Sequence, residues 1–104
     1  MKQYLNSEQT AQLIELGFEK PSSIASVEPI YGMGGISVAK AYTIGELLSF
    51  LPLTIQWTPR VIRGNVIEYS FETEGSELYY CNAHNELIDN LYDMILQLKE
   101  EGVI

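Results

Sequence analysis

The spacing of apolar residues along the chain predicts three helices. The first spans about residues 7–16, where clusters of apolar side chains give it one short apolar face. Asn6 and Gln9 stand at the two positions of a capping box, and Gly17 stands where a left-handed residue commonly ends a helix. Both ends of the first helix are therefore predicted from local sequence.

A second, shorter helix is predicted over about residues 43–51. Thr43 and Glu46 form a T-x-x-E capping box, in which the hydroxyl and the carboxylate each accept a hydrogen bond from the other residue's backbone amide. Pro52 ends the helix, because a proline disfavours helical backbone angles in the residue before it.

The longest helix is predicted over about residues 83–101. Its apolar residues recur at a spacing close to 3.6, which is the period of an α-helix; they are Leu87, Ile88, Leu91, Ile95 and Leu98. Asn82 or Asn85 is expected to cap its beginning, and Gly102 to end it.

Between the second and third helices the pattern changes to strict alternation of apolar and polar residues, which is typical of half-buried antiparallel strands. This predicts a meander of three or more strands over about residues 53–81, with turns at Gly64-Asn65 and Glu74-Gly75. Residues 26–40 are compatible with a hairpin around a glycine-rich turn, but their pattern is less clear. The glycine-rich turn lacks the lysine and the spacing of a phosphate-binding loop.

Together these elements predict a single α+β domain of two layers. The antiparallel meander forms one layer, and the first and third helices cover one of its faces. The chain has 104 residues, of which 46% are hydrophobic and 19% charged, and this is ordinary globular composition.

The charge of the chain narrows the choice of partners. Fourteen acidic residues against six basic ones give a formal net charge of −8 at pH 7. Proteins bind a nucleic-acid backbone mainly by neutralising phosphates with Lys and Arg, and anionic membranes attract clusters of the same residues. We therefore expect no nucleic-acid partner and no membrane partner, whereas a basic protein would suit this surface.

The chemistry-bearing residues are few. Cys81 is the only cysteine and His84 the only histidine, so the sequence indicates no disulfide, no zinc site and no cofactor motif. Cys81, His84 and Tyr80 are close enough in sequence to line a cleft, in which the thiol would need the histidine as a base. The favoured interpretation is a small buried thiol with no catalytic role. The first residues do not resemble a secretory signal, and we expect a cytoplasmic protein.

A surplus of aromatic residues lies in the predicted meander. Tyr79 and Tyr80 are neighbours on one strand and must face opposite sides of the sheet, so one of them is expected outside the core. Plain cross-strand pairing is the favoured explanation of these aromatics. The alternative is an interaction surface, for which Glu68, Glu72 and Tyr79 are the candidate residues.

Several segments resemble a group of short acidic proteins of gut anaerobic bacteria, often encoded on phage or other mobile DNA, for which no activity is established. The matching segments are residues 6–18, 41–48, 86–95 and 98–104, whereas the meander diverges. The matches are caps, helix faces and helix ends, so the resemblance implies a bacterial cytoplasmic setting and transfers no functional residue.

These features support three hypotheses of function. The first is a non-enzymatic accessory or interaction domain that binds another protein. The second is a small-molecule-binding domain or small enzyme with a cleft near Cys81, His84 and Tyr80. The third is self-association into a homodimer through an uncovered sheet face or an exposed edge strand.

Overall fold

Three helices and six strands make up the described part of the chain. The computed structural model describes residues 2–30, 32, 34–55, 58–70, 77–80 and 84–104. In chain order the elements are α1 (Ser7–Glu15), β1 (Ile24–Ile30), β2 (Gly35–Lys40), α2 (Ile44–Phe50), β3 (Thr54–Ile55), β4 (Thr58–Arg63), β5 (Val66–Ser70), β6 (Glu77–Tyr80) and α3 (Leu87–Glu100). The predicted α+β class, with its three helices and antiparallel meander, is confirmed.

Both predicted capping boxes are present. The Asn6 side chain accepts a hydrogen bond of 2.8 Å from the Gln9 amide, and the Gln9 side chain accepts one of 3.0 Å from the Asn6 amide. At α2 the Thr43 hydroxyl accepts from the Glu46 amide at 3.3 Å, and the Glu46 carboxylate accepts from the Thr43 amide at 3.1 Å. Each box satisfies an amide that the first turn of a helix leaves without a partner.

The beginning of α3 differs from the prediction. The helix begins at Leu87 with Glu86 as its N-cap, and Glu86 makes no side-chain capping bond. The predicted cap by Asn85 is therefore wrong, and Asn82 lies outside the described residues. At the other end, Gly102 has a φ of +77°, a conformation that glycine adopts at no steric cost.

The larger sheet has the strand order β3-β4-β5-β6, and every pairing in it is antiparallel. The two-residue β3 pairs with the beginning of β4, and the remainder of β4 pairs with β5 around the predicted Gly64-Asn65 turn. The predicted Glu74-Gly75 turn lies outside the described residues. Helix α3 packs against β5, and α2 packs against α3.

The core lies where these elements meet. Tyr69 and Ile67 of β5 are fully buried, as the alternation predicts for one face of a half-buried strand. Helix α3 contributes the largest share of the fully buried side chains: Ile88, Leu91, Met94, Ile95 and Leu98. From α1 and α2 come Leu13 and Leu47. Each such side chain stabilises the fold by about 1.5–3 kcal/mol relative to an exposed position.

Strands β1 and β2 form a separate two-stranded hairpin, which we call the arm (residues 24–40). The pairing runs from Ile24 opposite Lys40 to Ile30 opposite Gly35, so a hairpin is present in the segment whose sequence pattern is less clear. Among the described elements, neither strand of the arm packs to any significant extent on another helix or strand. The molecule is elongated and measures 62 × 27 × 17 Å.

The radius of gyration expresses the same extension. It is 16.2 Å, whereas a compact domain of this length has a value of about 13 Å.

None of the helices in the described part of the chain has the length and hydropathy that a bilayer crossing requires.

Candidate interaction surfaces

Two features of the described residues are candidate interaction surfaces: the edge strand β6 of the larger sheet, and the arm. From Val66 to Tyr80 the sequence contains four acidic residues and no basic one. β6 is the last strand of the sheet, and within the described residues it pairs only with β5. An unpaired strand edge offers a row of amide and carbonyl groups to another extended chain. We call this acidic edge of the sheet the β6 edge.

The register of β5 and β6 groups the candidate residues. Glu68 lies opposite Tyr80, and Tyr69 lies opposite Tyr79. Directly opposite residues of an antiparallel pair share a face of the sheet. The register therefore groups Glu68 with Tyr80, while Tyr79 occupies the position across from the buried Tyr69. Glu72 lies outside the described residues, and the Glu68 side chain is half-buried.

Arg60, one of the two arginines of β4, forms hydrogen bonds with the backbone at the end of α2. Its Nη1 donates to the carbonyl of Leu48 at 2.9 Å and to that of Leu51 at 3.4 Å. These carbonyls lie at the C-terminal end of α2, where the helix dipole favours a cation. The Arg60 guanidinium thus stabilises the C-terminal end of α2.

Tyr69 anchors the core side of the same sheet. Its hydroxyl donates to the Pro52 carbonyl at 2.5 Å. Burial raises the pKa of Tyr69 above its ordinary value, and the nearby Arg60 charge opposes that rise. The neutral phenol is therefore the stable form, and it serves as a hydrogen-bond donor that joins β5 to the end of α2.

The arm leaves the core at a root built from ordered polar contacts. The Ala41 amide donates to the Ser23 carbonyl at 3.1 Å, which closes the base of the hairpin. The Tyr42 hydroxyl donates to the Glu19 carbonyl at 2.5 Å, and the Ser22 amide donates to Glu46 Oε2 at 3.3 Å. Beyond the root, Ile24 is 53% exposed, which is a large fraction for an isoleucine.

A shallow pocket of about 200 Å³ lies beside this root. Its lining is mostly polar and consists of Glu19, Lys20, Ser22, Glu46, Ser49 and Phe50. The Glu46 carboxylate is already occupied by its hydrogen bonds to Thr43 and to the Ser22 amide. The pocket therefore offers no uncommitted charged group aimed at a ligand from α2.

The predicted cleft near Cys81, His84 and Tyr80 lies only partly within the described residues. Cys81 lies outside them, and Tyr80 is described only as part of β6. His84 is exposed, and its Nε2 lies 2.6 Å from Asp93 Oδ2. A carboxylate that holds a histidine in this way orients the imidazole in many nucleophile–base pairs, and the same contact is also common on protein surfaces with no catalytic role.

A buried amide was missed by the sequence analysis. Asn90 is fully buried on α3, and its Oδ1 accepts from the His84 amide at 2.9 Å. Its Nδ2 donates to the carbonyls of Asn65 and His84. These bonds fasten the β4–β5 turn to the segment that enters α3. The only sequence signal was a polar residue next to the apolar stripe of the helix.

A second polar network joins the beginning of the chain to α3. Lys2 Nζ lies 2.7 Å from Asp89 Oδ1, and Gln9 Nε2 donates to the same oxygen at 3.0 Å. Burial by itself raises the pKa of Asp89, but the hydrogen bonds from Lys2 and Gln9 and the Lys2 charge outweigh it. The pKa of Asp89 is therefore below its ordinary value, and the carboxylate is the stable form at neutral pH.

The described residues contain no cluster of three or more His, Cys, Asp or Glu side chains that could hold a metal ion. In comparisons with protein-family models, curated proteins and solved structures, the chain matches none of them.

Proposed function

We propose that this protein is a non-enzymatic interaction domain, of bacterial or mobile-element origin, that binds a basic protein at the β6 edge. The observation that carries the proposal is that β6, in an acidic segment of the chain, pairs on one side only within the residues that the structure describes. The partner adds an extended segment to β6, with lysine or arginine side chains placed near the glutamates.

Strand addition explains how a short edge can bind. Main-chain hydrogen bonds to the open edge supply affinity, and side chains at alternate positions supply specificity. The acidic charge steers a basic partner toward the edge and repels acidic ones, and it raises the association rate more than the affinity. Added salt therefore weakens this complex by slowing association.

The first experiment identifies the partner. The tagged protein is used for affinity capture from a lysate of its native host, and the retained proteins are identified by mass spectrometry. One basic protein retained near one-to-one supports the proposal. The binding of that protein is then measured with purified components at two salt concentrations.

Charge reversal tests the site. In the Glu68→Lys/Glu72→Lys variant we expect binding to weaken at least about tenfold, because two attractive charges become repulsive. The matched control is Glu100→Lys/Glu101→Lys, which makes the same change of net charge at two exposed positions at the end of α3. Equal losses in both variants would show that only net charge matters and would remove the β6 edge from consideration.

Truncation of the tyrosines separates the two faces of the sheet. The candidate surface includes Tyr79, but the register supports Tyr80 as the residue that accompanies Glu68. If the side chains on the Glu68 face contact the partner, Tyr80→Ala weakens the complex more than Tyr79→Ala does. If Tyr79→Ala, Tyr80→Ala and Glu68→Lys/Glu72→Lys all bind the partner as tightly as the wild type does, the β6 edge is not the binding surface.

The second candidate function, a small-molecule site or small enzyme near Cys81, His84 and Tyr80, is favoured by one observation. The 2.6 Å contact between His84 and Asp93 orients the imidazole as a general base requires. The test is the pH dependence of Cys81 alkylation in the wild type and in His84→Gln. A thiol pKa well below about 8.5 that rises in the variant supports this function. An unreactive thiol in both proteins ends its catalytic version.

A further inference from the structure

The arm is a two-stranded hairpin on which no other described element packs extensively. Hairpins of two strands are at best marginally stable in water, and three or more strands or a packed helix are needed for independent stability. An arm that extends a domain of this size to 62 Å therefore calls for additional strands from outside the chain. The chemistry of the arm indicates where those strands come from.

The charge of the arm sets it apart from the rest of the chain. Its sequence contains one acidic residue, Glu28, and one basic residue, Lys40, so it is formally neutral, whereas the whole chain carries −8. The arm therefore has no net negative charge that would attract a strongly basic partner. For a second copy of the chain, by contrast, the arm is where two acidic molecules can meet with the least repulsion.

The two edges of the arm differ in their ability to accept another strand. β1 contains Pro29, which has no amide hydrogen and which natural sheets place on edges that must not be extended. β2 contains no proline, so every residue from Gly35 to Lys40 retains its amide donor. The free edge of β2 is therefore the edge that can take a further strand.

We propose that the arm pairs with the arm of a second copy, with the two β2 strands antiparallel across a two-fold axis. The result is a four-stranded sheet in the order β1-β2-β2-β1. This arrangement is self-complementary, as the interface of a symmetric dimer must be. The Pro29-containing strands lie outermost, where they prevent the addition of further copies.

The position of Lys40 is compatible with this pairing. A two-fold axis that pairs Ser37 with Ser37 of the second copy places Lys40 three residues from the axis in each strand. The two lysines are then six residue steps apart along the strands, or about 20 Å. That distance exceeds the screening length of about 8 Å at physiological ionic strength, so their repulsion is weak. The strands of the arm have seven and six residues, fewer than the roughly 20–30 per side of a standard interface. We therefore expect a weak dimer.

Sedimentation velocity from about 5 µM to about 500 µM tests the proposal, a range that brackets the affinities of small interfaces. A concentration-dependent dimer that strengthens with added salt is expected, because salt screens the repulsion between two acidic copies. This salt response is opposite to that of the basic partner at the β6 edge, and the inference does not depend on that partner. A monomer throughout the range, or open-ended oligomers, would overturn the pairing.

Charge variants identify the strand at the axis. Ser37 lies near the middle of β2, so Ser37→Glu and Ser37→Lys each place two like charges close to the axis and weaken the dimer at least about tenfold. An equimolar mixture of the two variants restores dimerisation, since opposite charges then face each other. The matched control is Ser26→Glu, an exposed position on β1 that leaves the dimer unchanged. Failure of the mixture to associate, or an equal loss in the control, would refute pairing through β2.

Discussion

Replacing Asn90 with alanine tests how the sheet and α3 are held together. The buried amide makes three hydrogen bonds, one with the His84 amide and two with the carbonyls of Asn65 and His84. A hydrogen bond contributes about 1 kcal/mol net, so the three contribute about 3 kcal/mol. Alanine returns up to about 0.7 kcal/mol through its higher helix propensity. We therefore expect Asn90→Ala to lower the free energy of unfolding by about 2–3 kcal/mol.

That loss is large for a domain of this size. Domains typically have about 5–15 kcal/mol of stability in total. For about 100 residues, each kcal/mol corresponds to about 4–8 °C in Tm, so we expect the midpoint to fall by roughly 10–20 °C. Urea unfolding followed by far-UV circular dichroism measures the free energy, and the m-value shows whether the transition remains two-state.

Asn85→Ala is the matched control, because it makes the same substitution at an exposed position beside His84. We expect it to change stability by no more than about 0.5 kcal/mol. The reasoning is refuted if Asn90→Ala is as stable as this control. A second check uses Asn65, whose Nδ2 donates at 2.9 Å to the same His84 carbonyl as Asn90. The loss of unfolding free energy in the Asn65→Ala/Asn90→Ala variant should therefore differ by more than about 0.5 kcal/mol from the sum of the losses in the two single variants.

Two further predictions concern the ends of helices. Thr43→Ala should lower the free energy of unfolding by about 1 kcal/mol, because it removes the N-cap of α2. The Thr43→Ala/Glu46→Ala variant should lose less than the sum of the two single variants, because each substitution disrupts the same capping box. Additive losses in urea unfolding would contradict this. Lys2→Met should lower stability at neutral pH by up to about 1 kcal/mol, since the Lys2–Asp89 pair is partly exposed. The pKa of Asp89 is lowered in the folded state, so this contribution is present above about pH 4 and lost as the pH falls through the folded pKa. A difference between wild type and variant that persists in strong acid would exclude Asp89 as its source.

Sequence patterns predicted the features that depend on neighbouring residues. The capping boxes at Asn6 and Thr43 are complete within four residues, so their geometry follows from local sequence. The predicted beginning of α3 was wrong because the true beginning depends on a distant contact. Asn90 holds the segment around His84 outside the helix and bonds the carbonyl of Asn65, which is 25 residues away in the chain.

The interaction surfaces show the same division. The acidic composition of the β5–β6 segment and the alternation of its residues were visible in the sequence. The pairing of Glu68 with Tyr80 was not, because alternation within one strand says nothing about the register of its neighbour. The sequence pattern of the arm was compatible with a hairpin and gave no further detail. How little the other described elements pack on the arm is a matter of tertiary structure, which local sequence patterns do not reveal.

The order in which the core is assembled has a consequence for synthesis in the cell. Helix α3 supplies much of the buried apolar surface, and it follows every strand in the sequence. Helix α3 packs on both β5 and α2, so the apolar faces of these two elements are only partly buried until α3 has left the ribosome. At about 5–20 residues per second, the nascent chain spends several seconds with this apolar surface exposed. The net negative charge makes nascent chains on the same mRNA repel one another, and this repulsion opposes aggregation during that interval.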